Sequence, residues 1–377
     1  MSSGSPLSGI RVIEFCQIAA GPFAGMLLAD QGADVIKVES PEGDGMRGWP
    51  PHNDGYSENF ASLNRNKRSV VLNLKDPSDL DVARRLCLSA DVVLENFRPG
   101  VMQRLGLGHE ALLDVKPSLV YCSISAYGQQ GPRSQEGGFD VTLQAMGGVM
   151  SVTGEADGAP VKCGVPLTDF AAGLYAAYAV ATALYEVRAS GRGARMDVPM
   201  LGTTLAIAAL QTSEYFGTGR DPRKLGSAHP RNAPYQAFRA SDDYFVMAAG
   251  NDDLFRRACD GVGCPELVSD PRFESTALRA KNQVELKALM EARFARYTAA
   301  ECLEIMRRQG VPCAPINTYS QALADAQVQH YGWVQPLDLP GGGRTRTFVS
   351  PLGPGQPARR APPALGEHTD EIRKEIG

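Results

Sequence analysis

Asp169 heads an unusually apolar run: sixteen residues, Phe170 to Tyr185, follow without a charge before Glu186. A carboxylate there has two readings. It is a helix N-cap, because Thr168 or Asp169 at a helix start satisfies orphan backbone N–H groups. Or it is a nucleophile. The helix dipole favours its ionised form, and the apolar helix and the preceding Gly164-Val165-Pro166 leave it poorly hydrated. Covalent carboxylate catalysis needs such an anion. Taken alone, the spacing leaves both readings open.

Three basic groups are the other candidates. Asn96-Phe97-Arg98-Pro99-Gly100 directly follows the apolar stretch DVVLE, and Arg104 comes about one helical turn later. Arg98, Arg104 and the Asn96 amide suit a phosphate; the alternative is a turn with two solvated arginines. Asn64-Arg65-Asn66-Lys67-Arg68 is a second cluster, and Arg47 sits in the Gly-rich stretch GDGMRGW. Together the three patches suit a polyanionic cofactor; separately they read as solvated faces. There is no P-loop and no GxSxG elbow. Gly106 to Ala111 fits GxGxxA but follows the helical MQRL, whereas a dinucleotide loop must follow a strand.

The elements that position these residues alternate. Ile10–Phe15, Asp34–Glu39, Val70–Leu74, Asp91–Glu95 and Leu119–Ile124 read as strands, with helices over FAGMLLADQGA and Pro77–Ala90. Spacing of this kind predicts an α/β fold with an open parallel sheet covered on both faces. Ligands of such sheets sit at the strands' C-terminal ends, which here carry CQIAAGP, NFRPG and SISAYGQQGP. Beyond the connector DPRKLGSAHPRNAPY, YFVMAAGND reads as a strand and turn. Two or three charged helices follow, and Val311–Asn317 reads as a strand returning to the first domain. The expected organisation is a large domain over 1–220, a smaller inserted domain over 221–325, and a return to the large domain over 326–377.

Composition narrows the function. Apolar residues make up 43% and charged residues 21% of 377, and the net charge of −4 gives no basic field for nucleic acid or an anionic membrane. Eight cysteines form no CxxC pair and five histidines form no HExxH, so no metal site is expected and the thiols read as reduced. The N-terminus shows no signal core. The 170–185 run is short for a membrane span and reads as a core helix. A cytoplasmic location is expected.

The chain resembles the family III CoA-transferases over nearly its whole length. The resemblance is carried by LSGIRVIEF, AGPFAGMLLADQGADVIKVESPEGD, NRNKRSVVLNLK, VLENFRPGVMQRLG, SISAYGQQGP, GEADGAPVKCGVPLTDFAAGLYAA, GRGARMDVPM and PPALGEHTDEI, in that order. It implies a large Rossmann-like domain with a small α+β domain, an interlocked homodimer, and Asp169 as nucleophile. It also implies the reaction. Asp169 attacks the donor thioester, releasing CoA thiolate and leaving a mixed anhydride. The thiolate converts the anhydride to an aspartyl-CoA thioester and frees the donor acid. The acceptor acid then reverses both steps.

By position, the resemblance places Asn96, Phe97, Arg98 and Arg104 along the CoA site, with Phe139 and Asp140. Leu72 and Asn73 fall near the adenine end, and Gln17 and Ala19 in the loop framing the thioester. Gly250 and Asn251 match the family's glycine loop, although Ala248-Ala249-Gly250-Asn251 is not a glycine run. Arg47, Arg65 and Arg231 are candidates for a distal carboxylate. The segments HPRNAPYQAF and VMAAGNDDLF look most like members that use succinyl-CoA and dicarboxylate acceptors; oxalate, carnitine or an aromatic acid is the alternative. CoA is implied as substrate, with no tightly bound cofactor. The related α-methylacyl-CoA racemases use a Gly-His-Asp motif; here that place reads Gly138-Phe139-Asp140, without the imidazole. A non-enzymatic CoA-binding protein and a nicotinamide oxidoreductase are the remaining readings. Intact Asp169 argues against the first, and the missing glycine fingerprint after the first strand against the second.

Overall fold

The computed structural model describes residues 5–377. Six strands form one parallel sheet: β1 (Arg11–Phe15), β2 (Asp34–Glu39), β3 (Lys67–Val71), β4 (Val92–Glu95), β5 (Val120–Ser125) and β6 (Arg195–Pro199). Their order is β3-β2-β1-β4-β5-β6. This is the doubly wound Rossmann order, and its crevice opens where the winding reverses, between β1 and β4. The central strands β1, β2 and β4 are Val/Ile-rich because both faces are covered. Val12, Val35, Val92 and Val120 point into one core layer; Ile13, Ile36, Val93 and Tyr121 point into the other.

Two helices cover the first layer: α1 (Ala20–Asp30) and α4 (Leu167–Ser190). Helix α2 (Pro77–Ser89), N-capped by Asp76, covers the second, and α3 (Asp140–Met146) leads towards α4. Helices α1 and α4 approach closely because Gly173 has no side chain. A Cβ there would lie 2.8 Å from the Ala20 carbonyl oxygen and 2.9 Å from the Phe23 ring. Helix α4 has 24 residues, enough by length and composition to cross a membrane. One side of it packs on α1 and the sheet, through Ala172, Ala176 and Val180.

The third strand starts three residues earlier than expected, and the basic cluster is part of it. Lys67 and Arg68 are buried in β3. Arg68 is paired with Asp34 at 2.6 Å, Glu371 at 2.9 Å and Glu375 at 2.6 Å. Arg65 is paired with Asp30 at 2.6 Å. The cluster therefore holds the sheet edge and the C-terminal helix Thr369–Glu375 rather than facing a polyanion.

The chain divides into two compact units. The first comprises Met1–Val149, Lys162–Arg220 and Ala326–Gly377; the second comprises Met150–Val161 and Asp221–Asp325. No feature of the sequence marks Met150–Val161 as part of the second unit. That unit has a three-stranded antiparallel sheet of Tyr235–Arg239, Tyr244–Ala248 and Cys313–Pro315, with four helices between Asp252 and Arg308. Phe238, Phe245, Phe255, Phe273 and Phe294 fill its core. Contrary to the expectation from Val311–Asn317, Cys313–Pro315 does not return to the large sheet. It pairs with Tyr244–Ala248 inside the second unit, Met247 opposite Cys313.

Candidate active site

A cavity of about 310 Å³ lies at the sheet's reversal point. Its walls come from the C-terminal ends of β1, β4 and β5 and from the head of α4: Gln17 to Ala20, Asn96 to Arg98, Ile124 to Ala126, Gly138, Phe139, Asp169 and Met200. A smaller extension of about 130 Å³ shares Phe97, Arg98 and Phe139 and runs on past Pro99 and Gly137. The structure thus brings together Asp169, Gln17, Ala19, Asn96, Phe97, Arg98 and Phe139.

Asp169 is not a cap. Helix α4 begins at Leu167, so Asp169 lies in its first turn, and the cap residue Pro166 offers no side-chain bond. Among the described residues, none hydrogen-bonds to its carboxylate. The half-buried group is held up at about 7, first by burial and then by the nearby Asp140 charge. The sequence reading, based on the helix dipole, expected a fully ionised group. Withdrawal from water is the larger effect.

Asp140 acts on the helix rather than on a ligand. Its Oδ1 accepts the Thr168 backbone N–H at 2.9 Å and the Thr168 hydroxyl at 2.8 Å, and its Oδ2 accepts Gln144 Nε2 at 2.7 Å. It therefore supplies from outside the cap that Asp169 does not, and it fixes the first turn of α4. Thr168 and Gln144 are fully buried.

The loop after β1 is gripped by side chains from other elements. The Asn96 amide clasps the backbone of Gln17: Oδ1 accepts the Gln17 N–H and Nδ2 donates to the Gln17 carbonyl, each at 2.9 Å. Asn96 is thus a loop anchor, not the free phosphate ligand expected of it. Beneath it, Glu95 accepts the Phe97 N–H at 2.9 Å, and burial pushes its carboxyl to about 7. The exposed Arg98 guanidinium lies beside Gly137, where an added Cβ would stand 3.1 Å from it. Phe139 is 70% exposed on the cavity rim.

Other predicted residues lie elsewhere. Leu72 is 1% exposed and packs in the core below the sheet, so its side chain meets no ligand. Asn73 belongs to a turn, its N–H bonded to Asp79 at 2.8 Å. Arg104 is exposed at the end of the short helix Val101–Arg104 and is not a cavity wall residue. Arg47 lies over the Phe60 ring at 3.8 Å and forms a two-point pair with Glu39 at 2.7 and 2.8 Å, which leaves little of its fork for a substrate. Arg65 is similarly committed to Asp30. Asn251 caps the helix Asp252–Val262 by accepting the Leu254 N–H at 2.8 Å, next to Gly250 in the second unit. Arg231 is exposed in that same unit.

Residues 7–369 match the model of CoA-transferase family III. The chain belongs to that family. This CoA-transferase is 38% identical to the succinyl-CoA:glutarate CoA-transferase of Mus musculus, with 99% of this chain and 87% of the mouse protein covered. It is 39% identical to the succinate–glutarate CoA-transferase of Agrobacterium fabrum, over 98% and 96% of the two chains. A CAIB/BAIF family protein from Brucella suis, known from its crystal structure, superposes with a TM-score of 0.88 at 37% identity, covering 100% of both chains. No histidine is among the described residues that line this cavity.

Proposed function

We propose that the enzyme moves CoA from succinyl-CoA to a dicarboxylic acid through a thioester on Asp169. One observation carries this reading: an unpartnered, half-buried carboxylate in the wall of the cavity at the sheet's reversal point. Relatives named for succinyl-CoA with glutarate, D-citramalate or mesaconate support the substrate class. A carboxylate nucleophile conserves the energy of the thioester, because each intermediate is an activated acyl group. Attack on the donor forms the bond from Asp169 oxygen to the acyl carbon and breaks the C–S bond. The released CoA thiolate then takes the aspartyl carbon, and the donor leaves as a carboxylate. Exclusion of water protects both intermediates. Arg98 and Phe97, at the mouth, face the CoA moiety.

Apolar side chains on α4 and on the helix Ala209–Thr218 support the homodimer: Leu174, Tyr178, Tyr185, Leu210 and Phe216 are each more than half exposed. Exposed apolar surface of this kind marks an interface. A second copy, interlocked with the first, covers it in a cytoplasmic enzyme. The function is tested by supplying succinyl-CoA with a panel of acids and following the new acyl-CoA by chromatography. Turnover with dicarboxylates such as glutarate supports the reading. Turnover only with oxalate, carnitine or an aromatic acid overturns the substrate class.

A further inference from the structure

The loop between β1 and α1 forms one wall of the Asp169 cavity, and at its centre Ile18 has φ +67°. A β-branched residue rarely adopts this left-handed conformation, because its side chain crowds the backbone there. Something outside the loop must hold it. The Ile18 N–H points at a fully buried carboxylate, Asp44, and lies 3.1 Å from both of its oxygens. Asp44 is itself fixed: its Oδ1 accepts the Met46 N–H at 3.0 Å, and its backbone N–H donates to Glu39 at 3.1 Å. Lys37, also fully buried, ties the arrangement together. Its Nζ lies 2.9 Å from Asp44 Oδ2, 3.2 Å from Glu14 Oε1 and 2.6 Å from the Cys16 carbonyl oxygen. Lys67 balances the other Glu14 oxygen at 2.8 Å.

Lys37 therefore holds the loop where it leaves β1, Asn96 holds Gln17, and Asp44 holds Ile18. Three consecutive residues are thus set by side chains from other elements.

We infer that Asp44, locked by Lys37, is a positioning residue for the transfer step: it fixes the Ile18 backbone and so sets the cavity wall against which the thioester is presented to Asp169. Asp44 touches neither nucleophile nor cavity; it acts only through Ile18. The inference rests on the proposed role of Asp169. A misplacement of about 1 Å in such a wall lowers the rate by up to about 100-fold.

Two substitutions separate geometry from charge. Asp44→Asn can keep one oxygen on the Ile18 and Met46 N–H groups but loses the charge and the oxygen paired with Lys37. Asp44→Glu keeps the charge but moves the oxygens by one methylene. In single-turnover mixing with succinyl-CoA, Asp44→Asn should retain at least a third of the wild-type rate of thioester formation on Asp169. Asp44→Glu should fall about tenfold or more, with the Kd for free CoA within about twofold of wild type. The reverse order, or loss of rate and CoA affinity together in both variants, overturns the inference in favour of a purely structural charge cluster.

A second measurement needs no variant. In the wild-type protein the Ile18 amide should resist hydrogen exchange far more than an irregular surface loop does, and rapid exchange there also overturns the inference. Failure of the Asp169 reading is distinct, because the wild type would then form no thioester with any acyl-CoA while Ile18 protection still decides the role of Asp44.

Discussion

Replacing Asp169 by asparagine should abolish the covalent step and stabilise the fold. The ordinary value of this carboxyl is 3.8, and burial, with help from Asp140, raises it to about 7. The native state thus prefers the protonated group, while the unfolded chain ionises it freely. From about pH 4 upward ionisation stabilises the unfolded state and not the native state. The loss of stability grows at about 1.36 kcal/mol per pH unit and levels off above about pH 7. That gives about 4 kcal/mol as an upper bound, reduced to about 1–2 kcal/mol because the side chain is partly open to solvent. Asparagine has no charge to bury.

The Asp169→Asn variant should therefore be the more stable protein at pH 8, with a melting temperature about 2–4 °C higher. The difference should shrink as the pH falls and vanish near pH 4. Denaturant unfolding of both proteins at pH 8, 6 and 4.5 measures it. A difference that does not change with pH, or a variant less stable than wild type at pH 8, would refute the claim that Asp169 is held back from ionising by its surroundings.

Further outcomes follow from the same geometry. The single-turnover rate of thioester formation in free enzyme should rise with pH and level off, with a midpoint near 7 set by Asp169; rates independent of pH between 5.5 and 8.5 would contradict this. Asn96→Ala removes both 2.9 Å contacts to the Gln17 backbone. It should lower kcat by about 10- to 100-fold while changing the KM for acyl-CoA much less, as steady-state kinetics would show. Gly173→Val forces a side chain against Ala20 and Phe23 and should cost about 1–3 kcal/mol in urea unfolding.

Much of the sheet was legible in the sequence because its strands are buried on both faces and read as short Val/Ile runs between turns. Asp34–Glu39 matches its expected span, and the residues after β1 and β4 do meet at the reversal point. Two kinds of residue were not legible. The first is the charged residue that belongs to a strand. Lys67 and Arg68 read as a solvated or anion-binding cluster because their partners are distant in sequence: the parallel sheet brings up Glu14 and Asp34, and the C-terminal helix brings up Glu371 and Glu375. Arg47 misled too, although its partner is near in sequence: Glu39, at the end of β2, claims its fork.

The second is the polar side chain that serves backbone. Asn96 and Asp140 were singled out as ligand contacts, yet their hydrogen bonds go to the Gln17 peptide and the head of α4. Asp44 drew no notice at all. Its one signal in the sequence is its place in a Gly-rich stretch, Gly43-Asp44-Gly45. Nothing there reveals that Ile18 needs an acceptor, because that need arises from a backbone conformation that a branched residue does not advertise.

Asp169 should become covalently attached to CoA during turnover. The direct measurement is to mix the protein with succinyl-CoA in the absence of acceptor, quench in acid, and weigh the peptide that contains Asp169. A mass increase corresponding to a CoA thioester is expected on that peptide, absent in Asp169→Ala and cleared by an acceptor dicarboxylate. An unmodified Asp169 peptide with every acyl-CoA tested, or CoA attached to another residue while turnover persists in Asp169→Ala, would contradict it.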